Sequence, residues 1–182
     1  DHTNEAVMDR IVKINVPYCL ELDEEVKIYE KILAGSDFEA HIAPHSIKIA
    51  SMFSVMSRLK ESQKCDTLTK MKIYNGEEVI EKGRVKRIDI KDLREENYKE
   101  GMNGISTRFI TKALDSALTD SDKEMITPVS VMESLTSMIK DQIADADFKS
   151  KCLGIIQQIV REEYLKILQT WLIKKLWRKL MF

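Results

Sequence analysis

The sequence predicts a mainly α-helical fold. Apolar residues recur at helical spacing along most of the chain, and capping residues stand before several of these runs. Only 6 glycines and 3 prolines interrupt 182 residues, of which 43% are apolar and 32% charged. This composition is typical of a globular protein, and a compact chain of this length buries roughly 70% of its unfolded surface.

One strand is expected near the N-terminus. Residues Ile11 to Val16 are rich in β-branched side chains and stop at Pro17, which predicts a short, largely buried strand. A lone strand is not stable, so its sheet is expected to lie upstream. The chain starts at Asp1 without an initiator methionine, and we therefore expect a fragment or a processed chain.

Two helices are predicted in the first third of the chain. Asp23 is the expected N-cap of a helix to about Ala34, closed by Gly35. Pro44 suits the first turn of a second helix. The apolar faces of these two helices are Val26, Tyr29, Ile32 and Leu33, and Ile47, Ala50, Met52, Phe53, Met56 and Leu59.

The segment from Thr67 to Tyr74 has two interpretations. It forms either a short helix ending at Asn75-Gly76 or the first strand of a hairpin, for which Asn-Gly is a strong turn signal. We favour the helix. Residues 77–90 are expected to be irregular, and a charged helix is expected from Asp89 to Lys99.

The second half of the chain is predicted to be helical. One helix covers Thr107 to Leu118, and Thr127-Pro128 combines an N-cap with a favourable first helical residue for the next. A last long helix runs from about Asp147 to near the end.

The stretch from Glu100 to Phe109 is the main candidate functional feature. Gly101 and Gly104 separate two helices, Ser106 is a good N-cap, and Arg108 lies in the first turn that follows. A helix start favours anions, and a guanidinium can hold a phosphate through two parallel hydrogen bonds. The alternative is an ordinary capped helix whose arginine pairs with an acidic neighbour such as Glu100.

Arg10 is a second candidate, because it immediately precedes the predicted strand. The functional interpretation is an arginine finger that reaches the nucleotide of a neighbouring subunit. The alternative, which the sequence alone favours, is a surface arginine paired with Asp9 or Glu5.

Other chemistry is not indicated. His41 and His45 are separated by Pro44 and have no third ligand nearby in sequence, so no metal site is expected. No GxSxG, GxxxxGK[ST], HRD or DFG string occurs. The net charge of -1 gives no nucleic-acid signal, and three dispersed cysteines with no transmembrane run fit a cytoplasmic protein.

The tail, residues 170–182, is cationic and aromatic, with Trp171 and Trp177 among four basic residues. It suits a membrane-surface or partner-binding helix. The alternatives are a helix end packed on the core, and a tail that is not in the native reading frame.

Several blocks of the sequence stand in a recognisable order. They span residues 4–11, 16–20, 24–31, 41–45, 70–77, 101–109 and 161–164. Together they resemble the PrkA family of bacterial serine protein kinases, over about residues 1–168. The resemblance fades after Leu168, as a frameshift or truncation would produce.

That family has an AAA+ ATPase core followed by a C-terminal region classed as a kinase domain. The resemblance implies a helical AAA+ lid-type bundle with one orphan strand. Residues 1–20 would end the core, 21–120 would form the lid and 121–182 would begin the C-terminal region. Arg108 matches the lid arginine that contacts the γ-phosphate, and Arg10 lies where the inter-subunit finger could lie.

The resemblance also implies ATP and Mg²⁺, most of whose site lies upstream, together with partnership with that core, homo-oligomerisation and a protein substrate. We expect nucleotide sensing and subunit coupling within an ATP-dependent serine protein kinase, with no catalytic residue in this chain and no activity of the chain alone. The other hypotheses are a non-enzymatic helical module that binds protein or DNA, and a degraded gene product without function.

Overall fold

A computed structural model describes residues 10–12, 14–35, 40–81, 84–85, 88–119 and 125–181. It confirms the mainly α-helical class. The helices are α1 Leu22–Ala34, α2 Ser46–Arg58, α3 Thr67–Tyr74, α4 Ile90–Glu96, α5 Thr107–Thr119, α6 Pro128–Gln142, α7 Ala146–Ile159 and α8 Leu165–Met181. None of these helices is long and apolar enough, over the described residues, to cross a membrane.

Helix α2 is the centre of the fold. Every residue from Ile49 to Leu59 is buried, and helices α1, α3, α5, α6 and α7 all pack against α2. The core therefore joins elements from both halves of the chain around one helix. The division of the chain at residues 20 and 120 stays a prediction.

Some helix starts follow the capping signals in the sequence, but α2 begins at Ser46 behind His45, so Pro44 lies before the helix and not in its first turn as expected. Thr127 and Ser130 form a reciprocal capping box at α6, with Pro128 in the first turn. Asp66 caps α3, which confirms the helix over the hairpin, and Gly76 follows that helix with φ of 75°. Asp23 is not a cap: α1 begins at Leu22 behind Glu21, and the Asp23 N–H donates to Asn75 Oδ1.

The predicted strand from Ile11 to Val16 is wrong for the residues that the structure describes. They adopt no regular secondary structure, and the side chains of Val12, Ile14 and Val16 are 78% to 84% exposed. The β-branched composition favours extended backbone, but no neighbouring strand in the described part of the chain pairs with this segment.

Short strands occur elsewhere, at positions without a sequence signal. Strands β1 His41–Ile42 and β4 Met125–Ile126 pair in parallel, which ties the start of α2 to the start of α6. Strands β2 Ile80–Glu81 and β3 Arg84–Val85 form an antiparallel pair within the stretch expected to be irregular.

The last predicted helix is formed but interrupted. A π-helical turn, Val160–Tyr164, separates α7 from α8. Beyond it the described side chains are mostly exposed, including Trp171, Leu172 and Ile173 at 52% to 55%. Packing of the tail on the core is therefore not observed over residues 168–175.

Candidate functional site

The loop that precedes α5 is held against the end of α2. This loop, residues 101–105 (hereafter the 101–105 loop), contains Gly101 with φ of 78° and Gly104 with φ of 125°. The Gly101 N–H donates to the carbonyl of Arg58, and the Gly101 carbonyl accepts from the Tyr18 N–H at 2.9 Å. Both glycines adopt backbone angles that side-chain-bearing residues rarely reach.

Gly104 also allows close contact between two backbones. A Cβ added at Gly104 would lie 2.7 Å from Arg58 Cγ and 2.8 Å from its Cα. Gly101 and Gly104 were predicted only to separate two helices. In the structure they also allow the 101–105 loop to lie directly on α2.

Ser106 is the N-cap of α5, as predicted. Its hydroxyl accepts a hydrogen bond from the Phe109 N–H at 3.3 Å. Arg108 is exposed in the first turn of α5, and no side chain among the described residues bonds or pairs with its guanidinium. The guanidinium is therefore not committed to another described group.

The alternative partner of Arg108, Glu100, is engaged elsewhere. Its carboxylate accepts from Lys70 Nζ at 2.6 Å, from the Tyr74 hydroxyl at 2.7 Å and from the Lys60 N–H at 2.7 Å. Lys70 is fully buried and also donates to the Lys60 carbonyl. We call Glu100, Lys70 and Tyr74 the Glu100 cluster; it holds the loop at the residue before Gly101.

A second buried polar group, the Arg58 cluster, lies beside the loop. It consists of Arg58, Glu25, Tyr29 and Ser54, all buried. Arg58 Nη2 lies 2.8 Å from Glu25 Oε1, as an ion pair without hydrogen-bond geometry. Tyr29 donates to the same oxygen at 2.6 Å and Ser54 at 3.0 Å.

These clusters affect the ionisation of their tyrosines. Burial, reinforced by the hydrogen bond to Glu25, raises the pKa of Tyr29 well above its ordinary value of 10.0. Burial and the bond to Glu100 raise the pKa of Tyr74 in the same way. Both phenols therefore remain neutral donors to carboxylates at physiological pH.

Arg10 is exposed at the start of the described segment. Its alternative partners, Asp9 and Glu5, lie outside the described residues. No contact among the described residues joins Arg10 to Arg108, so the structure does not bring the two candidate arginines together. His41 lies in β1 and His45 precedes α2, and no metal-binding group of His, Cys, Asp and Glu occurs in the part of the chain that is described.

Sequence reasoning missed the two buried clusters. Glu25 lies within the apolar stripe of α1, one turn before Tyr29, and Arg58 is the last residue of α2, a helix buried along most of its length. The sequence feature that could have indicated these clusters is a charged residue within the apolar stripe of a helix. Each such charge needs a buried partner of opposite sign.

Comparison with protein families defines the class of the chain. Residues 1–66 match the model described as the PrkA AAA domain, so this part is AAA-type. Residues 68–176 match the model described as the PrkA serine protein kinase C-terminal domain. The chain belongs to the PrkA family. Arg10 falls in the AAA match and Arg108 in the C-terminal match, which continues past Leu168 into the tail.

Curated relatives support this assignment. The chain is 41% identical over 135 residues to the ATP-dependent protease PrkA of Bacillus subtilis, covering 72% of this chain and 21% of that protein. It is 36% identical over 180 residues to the serine/threonine kinase YeaG of Escherichia coli K12, covering 94% of this chain and 25% of that protein. The chain thus spans a quarter or less of these relatives. No solved structure matches it.

Proposed function

We propose that this chain is the nucleotide-sensing and subunit-coupling part of an ATP-dependent serine protein kinase of AAA+ type. One observation carries the proposal. Arg108 is exposed in the first turn of the Ser106-capped helix α5, without a described competing partner, in a chain of the PrkA family. The helical body would act as a lid that closes over ATP bound to an upstream core.

The residues present fit one part of such a site. A free guanidinium beside a helix start can donate two hydrogen bonds to a γ-phosphate. Mg²⁺ and the remaining phosphate contacts would come from the upstream core. Closure would neutralise phosphate charge through Arg108, and hydrolysis would remove that contact and release the lid.

Subunit coupling is the second part of the proposal. Arg10 is exposed in a segment with outward-facing apolar side chains, which suits contact with an upstream core and a neighbouring subunit. We propose a cytoplasmic homo-oligomer in which Arg10 reaches the nucleotide of the adjacent copy. The proposal also includes a protein substrate of the whole protein.

The activity of the whole protein requires its own assay. One relative is named an ATP-dependent protease and the other a serine/threonine kinase. We favour phosphotransfer because the model matching residues 68–176 is described as that of a serine protein kinase. Phosphate incorporation into a mixed protein substrate, measured beside its cleavage, separates the two. The isolated chain is expected to show neither activity.

The test of nucleotide sensing compares two variants of the full-length protein. Arg108→Ala removes a charge-assisted phosphate contact of about 1.5–3 kcal/mol, which corresponds to a fall in ATP turnover of roughly 10- to 150-fold. Lys112→Ala is the matched control, because Lys112 is exposed on α5 one turn later. Equal turnover in wild type and Arg108→Ala would overturn the proposal.

A second candidate function is a non-enzymatic interaction module. Helix α8 favours it, since Trp171, Leu172 and Ile173 are exposed beside lysines, and Lys175 Nζ lies 4.6 Å from the Trp171 ring centre. Binding of this chain to DNA that weakens steeply with salt would support the DNA form of this alternative. Binding of this chain to a protein partner with little dependence on salt would support the protein-binding form of this alternative.

A further inference from the structure

Arg58 contacts three separate segments of the chain. Its Nη2 pairs with Glu25 of α1, its Nη1 donates to the Cys19 carbonyl at 2.9 Å, and its Nε donates to the Ile105 carbonyl at 3.1 Å. The guanidinium also lies over the Tyr18 ring, 4.6 Å from the ring centre. One side chain thus joins α1, residues 18–19 and the 101–105 loop.

The backbone just before α5 is held at Ile105, whose N–H and carbonyl are both hydrogen-bonded. The Ile105 N–H donates to Ser57 Oγ at 2.9 Å, while its carbonyl accepts from Arg58. Gly104 lies against the Arg58 backbone, so the loop has little room to shift. Because α5 begins two residues after Ile105, these contacts fix the position from which Arg108 projects.

Stability alone is a weak reason for this arrangement. A buried ion pair contributes little net stability compared with apolar residues of similar volume, although removal of one partner is costly. A guanidinium offers five donors in a rigid fork, which suits a group that must hold several carbonyls at fixed positions. Lysine carries the same charge but lacks this fork.

We infer that Arg58 is a positioning residue for Arg108, holding the start of α5 in a fixed position against α1 and residues 18–19. This inference rests on the proposed function, because it requires Arg108 to act on a nucleotide. When the guanidinium joins Cys19 and Ile105, a displacement of either segment moves the other.

The test is a double-mutant cycle on ATP turnover of the full-length protein, with Arg58→Lys, Arg108→Ala and the combined variant. Arg58→Lys is expected to lower kcat at least fivefold in the wild-type background. In the Arg108→Ala background it is expected to change kcat by less than twofold, because Arg108 is no longer there to be positioned. Independent multiplication of the two effects, or an unchanged kcat in Arg58→Lys, would overturn the inference.

Two further variants separate positioning from general destabilisation. Ile139→Val removes one methyl group at a fully buried site of α6 that belongs to neither cluster, so it lowers stability without touching the Arg58 contacts, and it is expected to leave kcat within twofold. Ser57→Ala removes the acceptor of the Ile105 N–H and leaves Arg58 intact, so it substitutes for Arg58→Lys if that variant does not fold. It is expected to lower kcat and to show the same non-additivity with Arg108→Ala.

The outcomes distinguish the two levels of the proposal. A fall in kcat for Arg108→Ala, with multiplicative effects of Arg58→Lys and Ser57→Ala, would overturn the positioning role alone. An unchanged kcat for Arg108→Ala would overturn the proposed function and the positioning role with it.

Discussion

The interior around α2 and the two ends of the chain reverse the usual distribution of charged and apolar residues. The interior holds Arg58, Glu25, Lys70 and Glu100, all charged and all at most 8% exposed. The N-terminal segment and α8 instead expose apolar side chains, from Ile11 to Val16 and from Leu165 to Ile173. Charges in the interior fix the path of the backbone, whereas apolar side chains at the ends remain available to other surfaces.

This contrast separates two roles within one chain. The buried clusters determine where the 101–105 loop and α5 lie. The exposed ends contribute little to that geometry, and under the proposed function they would contact the upstream core or a neighbouring subunit. Substitutions in the interior should therefore affect stability, and substitutions at the ends should affect association.

The largest expected effect is that of Arg58→Ala. It leaves Glu25 buried without its cation and removes two carbonyl contacts, so the free energy of unfolding should fall by about 3–5 kcal/mol. Urea unfolding of this chain measures the change. Arg108→Ala is the control, since this exposed side chain should change stability by less than about 0.5 kcal/mol. A loss below about 1 kcal/mol in Arg58→Ala would contradict the role of the cluster.

Two glycines offer a matched pair for the loop. Gly104→Ala should cost about 2–5 kcal/mol, because a positive φ of 125° combines with a Cβ placed 2.8 Å from the Arg58 Cα. Gly76→Ala should cost only about 1–2 kcal/mol, because its Cβ meets nothing within 4 Å and only the backbone angle is unfavourable. Equal losses in urea unfolding would show that the loop does not press on α2.

The interior is also expected to be sensitive to alkaline pH. The pKa of Tyr29 is raised in the folded state, so above pH 10 the unfolded chain loses a proton that the folded chain keeps, and stability falls. Where Tyr29 is fully ionised in the unfolded chain and still protonated in the folded chain, the free energy of unfolding falls by about 1.4 kcal/mol per pH unit. Tyr29→Phe should reduce this slope between pH 10 and 11.5 in urea titrations.

Other groups of the chain also change protonation over this pH range and alter the free energy of unfolding. Burial raises the pKa of Tyr74, the pKa of the Cys19 thiol and, to about 11, the pKa of the Cys152 thiol, and all three add to the loss, while burial lowers the pKa of Lys151 and opposes it. These groups remain in the Tyr29→Phe variant and cancel in the comparison. An unchanged slope would mean that Tyr29 ionises normally in the folded protein.

The smallest effect on stability is expected at the exposed ends. Ile14→Ser should change the free energy of unfolding by less than about 0.5 kcal/mol, because Ile14 is 78% exposed. Ile110→Val, at a fully buried site, should cost about 0.5–1.5 kcal/mol. Ile14→Ser should also reduce association of the chain in sedimentation experiments. Association equal to that of wild type would locate the contact surface elsewhere.

Local signals in the sequence predicted the features that depend on neighbouring residues. Ser106 and Thr127 each cap a helix at the expected place, because a cap satisfies donors within one turn. The strand from Ile11 to Val16 was wrong because β propensity does not specify a partner. The pairing of β1 with β4 was missed because it joins segments far apart in sequence.

Only the part of the candidate site that depends on neighbouring residues was predicted from the sequence. Arg108 was identified from its place in the first turn after two glycines, a local pattern. Arg58 was not, because its contacts with Glu25, Cys19 and Ile105 cross 33 to 47 residues and leave no periodic signature. Only a buried charge within an apolar stripe indicated that such partners exist.

The most direct test of nucleotide sensing at α5 is hydrogen–deuterium exchange of the full-length protein. Peptides covering residues 101–112 would be compared with a non-hydrolysable ATP analogue and with ADP bound. We predict slower exchange of these amides with the analogue, because a γ-phosphate held by Arg108 would restrain the start of α5. Identical exchange in both states, with the upstream nucleotide site occupied, would contradict the proposed function.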